Sequence, residues 1–474
     1  MRAAIRALPL VALLVPGACT VGPDYHRPAV AGEAAPWALA AGANAGAPDL
    51  APWARLGDPV LADLVARALA ANPDLKEAEA RLDEARAQLG LARAGRLPQA
   101  ELTGSAQQTQ TSLNGQFPAG SIPFYRRDFA LYDAGFDASW EIDLWGAQRR
   151  AVESARAQLA SADARMADTR LRIVAEVVRG YAQLRGSQAL LAATQDDAMA
   201  QAELASLTRQ RLAAGESARI DETRAREQSR TARAPVAGLE TDVAAATATL
   251  ALLTGRPPEA VAPLATAMAP LPALPGYPPV GTRADMLRRR PDVRAAEADL
   301  ASATAAIGME TANLYPRLTL NGGADFQSRN PADLPSGNSL GFAVGPRFAW
   351  ALFDAGRVRA RIHAADARAD AAAARYVKAV LAALADSETA INRYAAWTTT
   401  VAEREAALAA SRQSYEQAQA RTRAGEDDRL ALLQAQSALS GATRAAVQAH
   451  QAAFEAYAAM IKALGGGWEA PGPG

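Results

Sequence analysis

Tyr132-Asp-Ala-Gly-Phe-Asp-Ala-Ser-Trp-Glu-Ile-Asp-Leu144 is the stretch on which the reading of the whole chain turns. Successive side chains of a β-strand point to opposite faces. Here one face collects Tyr132, Phe136, Trp140, Ile142 and Leu144, and the other collects Asp133, Gly135, Asp137, Ser139, Glu141 and Asp143. Leu340–Leu352 divides the same way: Leu340, Phe342, Val344, Phe348, Trp350 and Leu352 against Gly341, Ala343, Gly345, Arg347, Ala349 and Ala351. Two stretches near Glu101–Thr111 and Thr319–Gln327 repeat the split less sharply, with Thr103, Ser105 and Gln107 in one and Asn321, Asp325 and Gln327 in the other. One apolar face, one polar face and a length near ten residues fit a membrane-spanning barrel strand, with Trp and Tyr at the ends in interfacial belts. A soluble sandwich strand alternates in the same way, so the decision falls to what surrounds the strands.

Long helices surround them. Apolar residues recur at alternating steps of three and four along Leu75, Ala78, Leu82, Ala85, Leu89 and Ala92, and again along Val293, Ala296, Leu300, Ala303 and Ile307. That spacing is a coiled-coil seam. After each strand pair comes a far longer helical stretch. The first runs from about Gln148 to Ala213, with its seam at Val152, Ala155, Leu159, Ala162 and Met166; it breaks at Gly215 and returns from about Ala218 to Thr254. The second runs from about Arg357 to Arg423, breaks at Gly425 and returns over Arg429–Leu464. A helix of some 65 residues is about 100 Å long, more than a compact domain needs. Pro235 is expected to kink the first returning helix. The two halves align at a constant offset of 218 residues, pairing Pro73 with Pro291, Asp74 with Asp292, Gly90 with Gly308 and Gly104 with Gly322. Arg211-Leu-Ala-Ala-Gly-Glu and Arg421-Thr-Arg-Ala-Gly-Glu form a second matched pair, so the chain reads as an internal duplication.

Four strands leave two open edges, which lipid does not tolerate, and barrels begin at about eight strands. The chain is therefore expected to oligomerise, and three copies would supply about twelve strands around an aqueous lumen. The polar face would line it with Glu101, Asp133, Asp137, Glu141 and Asp325 against Arg347, an acidic set that favours cations. The Pro-, Gly-, Asn- and Ser-rich segments Ser112–Arg127 and Arg329–Ser339 would be the outer turns. The expected fold class is an α+β membrane protein: long antiparallel coiled-coil helices joined to four transmembrane β-strands per chain.

Composition narrows the function. Of 474 residues half are apolar, yet Ala is roughly a quarter of the chain and aromatics only 5%, which suits close helix packing better than a thick core. Lys+Arg and Asp+Glu are equal at 50 each, which gives no bulk charge for nucleic acid. Three separated histidines (His26, His363 and His450) and one cysteine provide no metal cluster and no disulfide. No catalytic or cofactor motif is found, so no enzyme activity, no cofactor and no catalytic residue is expected. Residues 1–18 read as a signal peptide, with Arg2 and Arg6 before apolar Leu8–Val15. Cys19 directly after Gly17-Ala18 reads as a lipidation site. Beyond that leader no apolar run of 18 residues is seen, so no transmembrane helix is expected.

With these features in place, Cys19-Thr-Val-Gly-Pro-Asp-Tyr-His-Arg-Pro28 resembles the mature start of NodT-type efflux lipoproteins of the TolC-like outer membrane factor family. Trp140-Glu-Ile-Asp-Leu-Trp-Gly146, Arg290-Pro-Asp292, Tyr315-Pro316, Leu352-Phe-Asp-Ala-Gly-Arg357 and Ala251-Leu-Leu-Thr-Gly-Arg-Pro257 add to the resemblance. It implies a homotrimer with a twelve-stranded barrel in the outer membrane and a helical tunnel across the periplasm. It also implies a periplasmic adaptor, an inner-membrane transporter of the resistance–nodulation–division class and lipid as partners. On the same resemblance Gly215 and Gly425 sit at the hairpin tips that close the tunnel. Arg219, Asp221, Asp427, Asp428 and Gln434 are the further aperture candidates, Gln434 standing where many members carry aspartate.

The resulting map is a signal peptide 1–18, a lipid-anchored equatorial segment 19–59, and a first repeat 60–254 with its strands at about 99–145. A linker 255–282, a second repeat 283–464 with strands at about 317–353, and a tail 465–474 follow. The expected function is the outer membrane exit duct of a tripartite pump for small toxic compounds. Two alternatives stand beside it: the duct of a type I protein-secretion system, and a coiled-coil envelope lipoprotein without a pore.

Overall fold

The computed structural model describes residues 20–38, 46, 53, 56–113, 124, 126–274, 276 and 279–466. Cys19, the leader before it, most of the Ser112–Arg127 turn and most of the tail lie outside these residues. The element order is α1 (Pro59–Ala71), α2 (Pro73–Ala94), β1 (Gln99–Gln110), β2 (Asp128–Ile142), α3 (Ala147–Ala213), α4 (Arg219–Arg233) and α5 (Pro235–Leu253). A short α6 (Pro263–Thr266) follows, then α7 (Arg283–Arg289), α8 (Pro291–Ala312), β3 (Arg317–Ser328), β4 (Leu340–Ala349), α9 (Arg357–Ala424) and α10 (Arg429–Ala463). Helix, helix, strand, strand, long helix and returning helix thus occur twice in the same order.

The chain divides into two compact units. The first comprises Met1–Pro28, Asp83–Ala160 and Glu297–Ala374. It holds one antiparallel sheet in the order β1-β2-β3-β4, which leaves β1 and β4 at the edges. Each hairpin is fastened at its base by the same indole bond. Trp140 Nε1 donates to Arg96 O at 3.0 Å, and Trp350 Nε1 donates to Leu314 O at 3.0 Å. Trp145 lies beside them, stacked on Tyr315 with ring centroids 4.6 Å apart. Leu89, Val152 and Ala155 form a small buried cluster in this unit, with Ala92 and Leu159 against it. Ser154 and Ser302 meet through their hydroxyls at 2.9 Å, a contact that only small side chains allow.

The second unit comprises Ala29–Leu82, Ser161–Ala296 and Arg375–Gly474. Most of the bulky core is here: Tyr181, Tyr376, Tyr394, Phe454, Tyr457, Leu61, Ile173, Leu184 and Leu250 are essentially inaccessible. The residue before each helix-starting proline performs one task in both halves. Asn72 caps α2 through Oδ1, accepting from Asp74 N at 2.8 Å, while its Nδ2 donates to Leu253 O at 2.8 Å, the last residue of α5. Arg290, 218 positions on, donates from Nη1 to Ala463 O at 3.1 Å, the last residue of α10. Both satisfy a carbonyl that a helix C-terminus leaves without an intrahelical partner.

Along α2 the heptad positions Leu75, Leu82 and Leu89 are buried and Ala78, Ala85 and Ala92 are half-buried, as a seam requires. Pro235 ends one helix and begins the next, but Ala234 between them keeps helical dihedrals (φ −56°, ψ −37°). The proline therefore interrupts the hydrogen bonding without turning the chain out of the helical region. The linker carries a 3₁₀ turn at Pro258–Ala260 and the short α6. Contrary to the sequence reading, one helical stretch, Arg219–Leu253, is long and apolar enough to cross a membrane by length and composition alone. Its Ala- and Leu-rich second half raises the mean although Glu240 and Asp242 interrupt the run. Val243, Ala246, Leu250 and Ala251 of that half are buried in the second unit.

A cavity of about 290 Å³ in the second unit is lined by Asp168, Arg290, Asp292, Asp386 and Lys462 among others. Burial, and then the neighbouring Asp292 charge, hold the Asp168 carboxyl above its ordinary value. Such a group binds its proton more tightly folded than unfolded, so its ionisation lowers stability as pH rises through the native pKa. Asp168→Asn is expected to raise Tm at pH 7, with the gain vanishing below the ordinary value of 3.8, when both states keep the proton; thermal melts across pH check this. Phe454→Ala, at a 1% exposed site, is expected to lower stability by about 3–5 kcal/mol, read by denaturant unfolding.

Candidate functional site

Side chains directly paired across an antiparallel ladder share a face, so the register sorts the strand residues. One face carries the rows Glu101–Asp137–Gly323–Ala343, Thr103–Gly135–Asp325–Gly341, Ser105–Asp133–Gln327 and Glu141–Thr319–Arg347. All six residues singled out for a lumen fall on this face. The other carries Leu102–Phe136–Ala324–Phe342, Trp140–Leu320–Pro346 and Ile142–Leu318–Phe348. These apolar side chains do not form a core: Leu102 is 87% exposed, Phe342 80% and Phe348 65%. A continuous exposed apolar surface of this kind marks a membrane or protein contact.

The polar face is shaped for its carboxylates. A groove of about 1090 Å³ is lined by Glu101, Asp137, Ser139, Asn321 and Asp325 among others. A β-carbon on Gly323 would lie 2.7 Å from Asp137 Oδ1, and one on Gly341 would lie 3.2 Å from Asp325 Oδ1. The glycines therefore give the carboxylates room to lie along the sheet. Glu101 and Asp137 sit directly opposite, a like-charge placement that disfavours folding by about 0.2–1 kcal/mol. Asp133, Glu141 and Arg347 share the face but do not line this groove. Glu141 lines a smaller cavity of about 250 Å³ with Asp143 and Arg317. The glycines at 323 and 341 are the feature that alternation of apolar and polar residues did not signal.

In the second unit the two helix breaks have one construction. Gly215 (φ +81°) and Gly425 (φ +77°) occupy left-handed positions just after α3 and α9. Glu216 N donates to Arg211 O at 2.8 Å and Gly215 N to Leu212 O at 3.0 Å; Glu426 N donates to Arg421 O at 3.0 Å and Gly425 N to Thr422 O at 3.2 Å. This pair of bonds closes a helix end on glycine. Asp221 Oδ2 accepts from Ala218 N at 3.2 Å, holding the start of α4. Arg219 is exposed in the same turn, and Gln434 is exposed on α10. Asp427 accepts from Arg421 Nη2 at 2.9 Å.

Asp428 has two tasks. Its Oδ1 caps α10 by accepting from Ala431 N at 3.0 Å, and its Oδ2 accepts from Arg211 Nη2 at 3.1 Å, joining α10 to α3. The α3–α10 seam continues through Arg429 Nε to Glu203 at 2.6 Å, Ser437 to Asp197 at 2.8 Å and the buried cluster Ala200, Leu204 and Leu433. Arg211, Glu203, Asp197, Arg429 and Ser437 were absent from the sequence-derived set. Asp197, 5% exposed in the middle of a helix, is the one whose burial makes its role clear. Among the described residues no cluster of His, Cys, Asp and Glu is arranged to hold a metal ion.

The profile of the family described as outer membrane efflux protein matches residues 64–256 and 283–466. The chain is 30% identical over 466 residues to the pyoverdine export outer membrane protein OpmQ of Pseudomonas aeruginosa, covering 97% of this chain and 96% of that one. It is 28% identical over 460 residues to nodulation protein T of Rhizobium leguminosarum bv. trifolii, covering 97% of each. The solved outer-membrane channel OprN is similar at 34% identity and TM-score 0.82, over 95% of this chain and 100% of that one. The Campylobacter jejuni CmeC channel shares the fold, with TM-score 0.84 at 20% identity over 95% of each chain.

The Arg211–Asp428 pair is partly solvated, with side chains 38% and 48% exposed, so its coupling energy in a double-mutant cycle is expected to stay below about 1 kcal/mol. Asp428→Ala alone is expected to cost about 1 kcal/mol more than Asp428→Asn, because asparagine keeps the helix cap; chemical unfolding of the two variants makes the comparison.

Proposed function

The chain belongs to the outer membrane efflux protein family, and on that premise we propose that it is the exit duct of a tripartite efflux pump. The chain is an outer membrane protein, and its relatives are channel proteins, not enzymes. In the proposed assembly three copies close a twelve-stranded barrel, and their α3–α5 and α9–α10 hairpins line a periplasmic tunnel. The two halves of each chain descend from one duplicated unit. A periplasmic adaptor and an inner-membrane transporter of the resistance–nodulation–division class drive small toxic compounds through, and this chain conducts them passively. Relatives named for pyoverdine export and for solvent and toluene efflux support that class of cargo. Cys19, once the leader is removed, carries the lipid anchor.

The observation that carries the reading is the sheet in register. A row of exposed Leu102, Phe136 and Phe342 lies on one face, and Glu101, Asp133, Asp137, Glu141, Asp325 and Arg347 lie on the other. A sheet apolar on one side, polar on the other and open at both edges is stable in lipid only when further strands close it. The acidic face makes the lumen cation-preferring. Gly215 and Gly425 turn the helices at the periplasmic aperture, where Arg219, Asp221, Asp427, Asp428 and Gln434 set its width and charge.

Purified protein in planar bilayers is expected to give stable cation-selective conductance, and absence of conductance would contradict the duct. Neutralising Glu101 and Asp137 together is expected to lower the cation-to-anion permeability ratio without abolishing conductance. Replacing Arg219 and Asp221 together by Ala is expected to raise single-channel conductance, whereas an unchanged value would remove both from the gate.

A further inference from the structure

In the first unit several contacts converge on Arg150, near the start of α3. Its guanidinium, 3% exposed, donates from Nε to Val21 O at 3.2 Å, and from Nη2 to Gly22 O at 3.2 Å and Asp24 at 2.8 Å. Nη1 donates to Glu153 at 2.7 Å. Val21 N in turn donates to Trp145 O at 3.1 Å. Gly22 has φ +90° and crosses α8 so closely that a β-carbon on it would lie 2.4 Å from Gly308 Cα. A β-carbon on Gly308 would lie 2.8 Å from Val21 O and 2.8 Å from Arg150 Cγ. A β-carbon on Gly146 would lie 2.8 Å from Thr20. At the far end Tyr25 and Arg27 both engage Glu297. Residues 20–28 are thus held as a docked peptide is held, with main-chain carbonyls on a buried guanidinium and glycines beneath for close approach.

The repeat-equivalent positions provide an internal control. Gly356 (φ +82°) precedes α9 as Gly146 (φ +83°) precedes α3, and Gly90 matches Gly308 in the repeat. Neither Gly90 nor Gly356 would bring a β-carbon within 4 Å of anything, and Ala360 stands four residues after Gly356, where Arg150 stands four after Gly146.

We propose that Arg150, with Gly308 beneath it, is a positioning site whose ligand is the chain's own amino-terminal segment, Thr20–Pro28. Burying a guanidinium is unfavourable unless its donors are satisfied. Without the segment, Glu153 would be the one remaining acceptor among the four named, so seat and segment form together. The site fixes where the amino-terminal end leaves the protein: at the base of the sheet, beside the Trp145–Tyr315 stack. Resting on the membrane reading above, a lipid carried at that end enters the bilayer at this aromatic rim.

Hydrogen–deuterium exchange on the full-length protein in detergent tests the site, with the sheet amides as internal reference. Arg150→Met and Gly308→Ala are each expected to speed exchange of the Val21 amide, which donates to Trp145 O, by roughly 10–100-fold as the segment leaves its seat, and to leave β1–β4 unchanged. Arg150→Lys is expected to fall between, and Gly90→Ala to change neither region. Unaltered protection of the Val21 amide in both Arg150→Met and Gly308→Ala would overturn the proposal. So would equal loosening by Gly90→Ala. If Arg150→Met does not assemble, Gly308→Ala decides the matter alone. The channel reading fails separately, through absent conductance of the unaltered protein, whatever the exchange shows.

Discussion

A sheet in lipid has nowhere to send an unpaired backbone group, and that constraint governs the proposed assembly. Water solvates the edge of a soluble sheet, but hydrocarbon does not, and each unmatched N–H or C=O there costs several kcal/mol. Here β1 and β4 lie at the two edges, and one face is covered by exposed Leu, Phe and Trp. The proposed closure by sister copies would satisfy both features at once. The acidic face then needs no separate explanation. Carboxylates that repel one another across Glu101 and Asp137 are tolerable where water and cations reach them, and Gly323 and Gly341 keep them lying along the sheet.

The two halves solve the same local problems, once with different residue types and twice with the same one. Asn72 and Arg290 each fasten the end of the returning helix, one with a side-chain amide and the other with a guanidinium. Trp140 and Trp350 each tie a hairpin to the loop before it. Gly215 and Gly425 each end a helix of more than 60 residues with the same pair of bonds. The exception is informative: Arg150 has no counterpart at Ala360, and the amino-terminal segment lies between Arg150 of the first repeat and Gly308 and Glu297 of the second.

How far the sequence foretold this depended on whether the signal was local. Strand faces follow from period two, and the ladder pairs the residues that the alternation had grouped. The α2 seam follows from heptad spacing, and Gly at 215 and 425 marks a left-handed cap. What escaped was non-local or depended on shape. The Arg211–Asp428 and Asp197–Ser437 contacts join residues more than 200 positions apart, and nothing near either partner announces them. Pro235 divides the returning helix into α4 and α5, while Ala234 between them keeps helical dihedrals. The apolar character of the segment up to Leu253 is hidden in the sequence because Glu240 and Asp242 interrupt the run. No local pattern encodes the cargo of the proposed duct, since a passive duct recognises charge and width rather than functional groups.

Edge closure can be tested directly by disulfide trapping between β4 and β1. Within one chain these strands are three sheet spacings apart, about 14 Å, too far for a disulfide. In a Cys19→Ala background, Ala343→Cys is combined in turn with Glu101→Cys, Thr103→Cys and Ser105→Cys, and the products are sized under denaturing, non-reducing conditions. The account predicts that at least one pair yields linked dimers and trimers and nothing larger. Linked monomer only, or no product at any position in membranes that contain the protein, would contradict it.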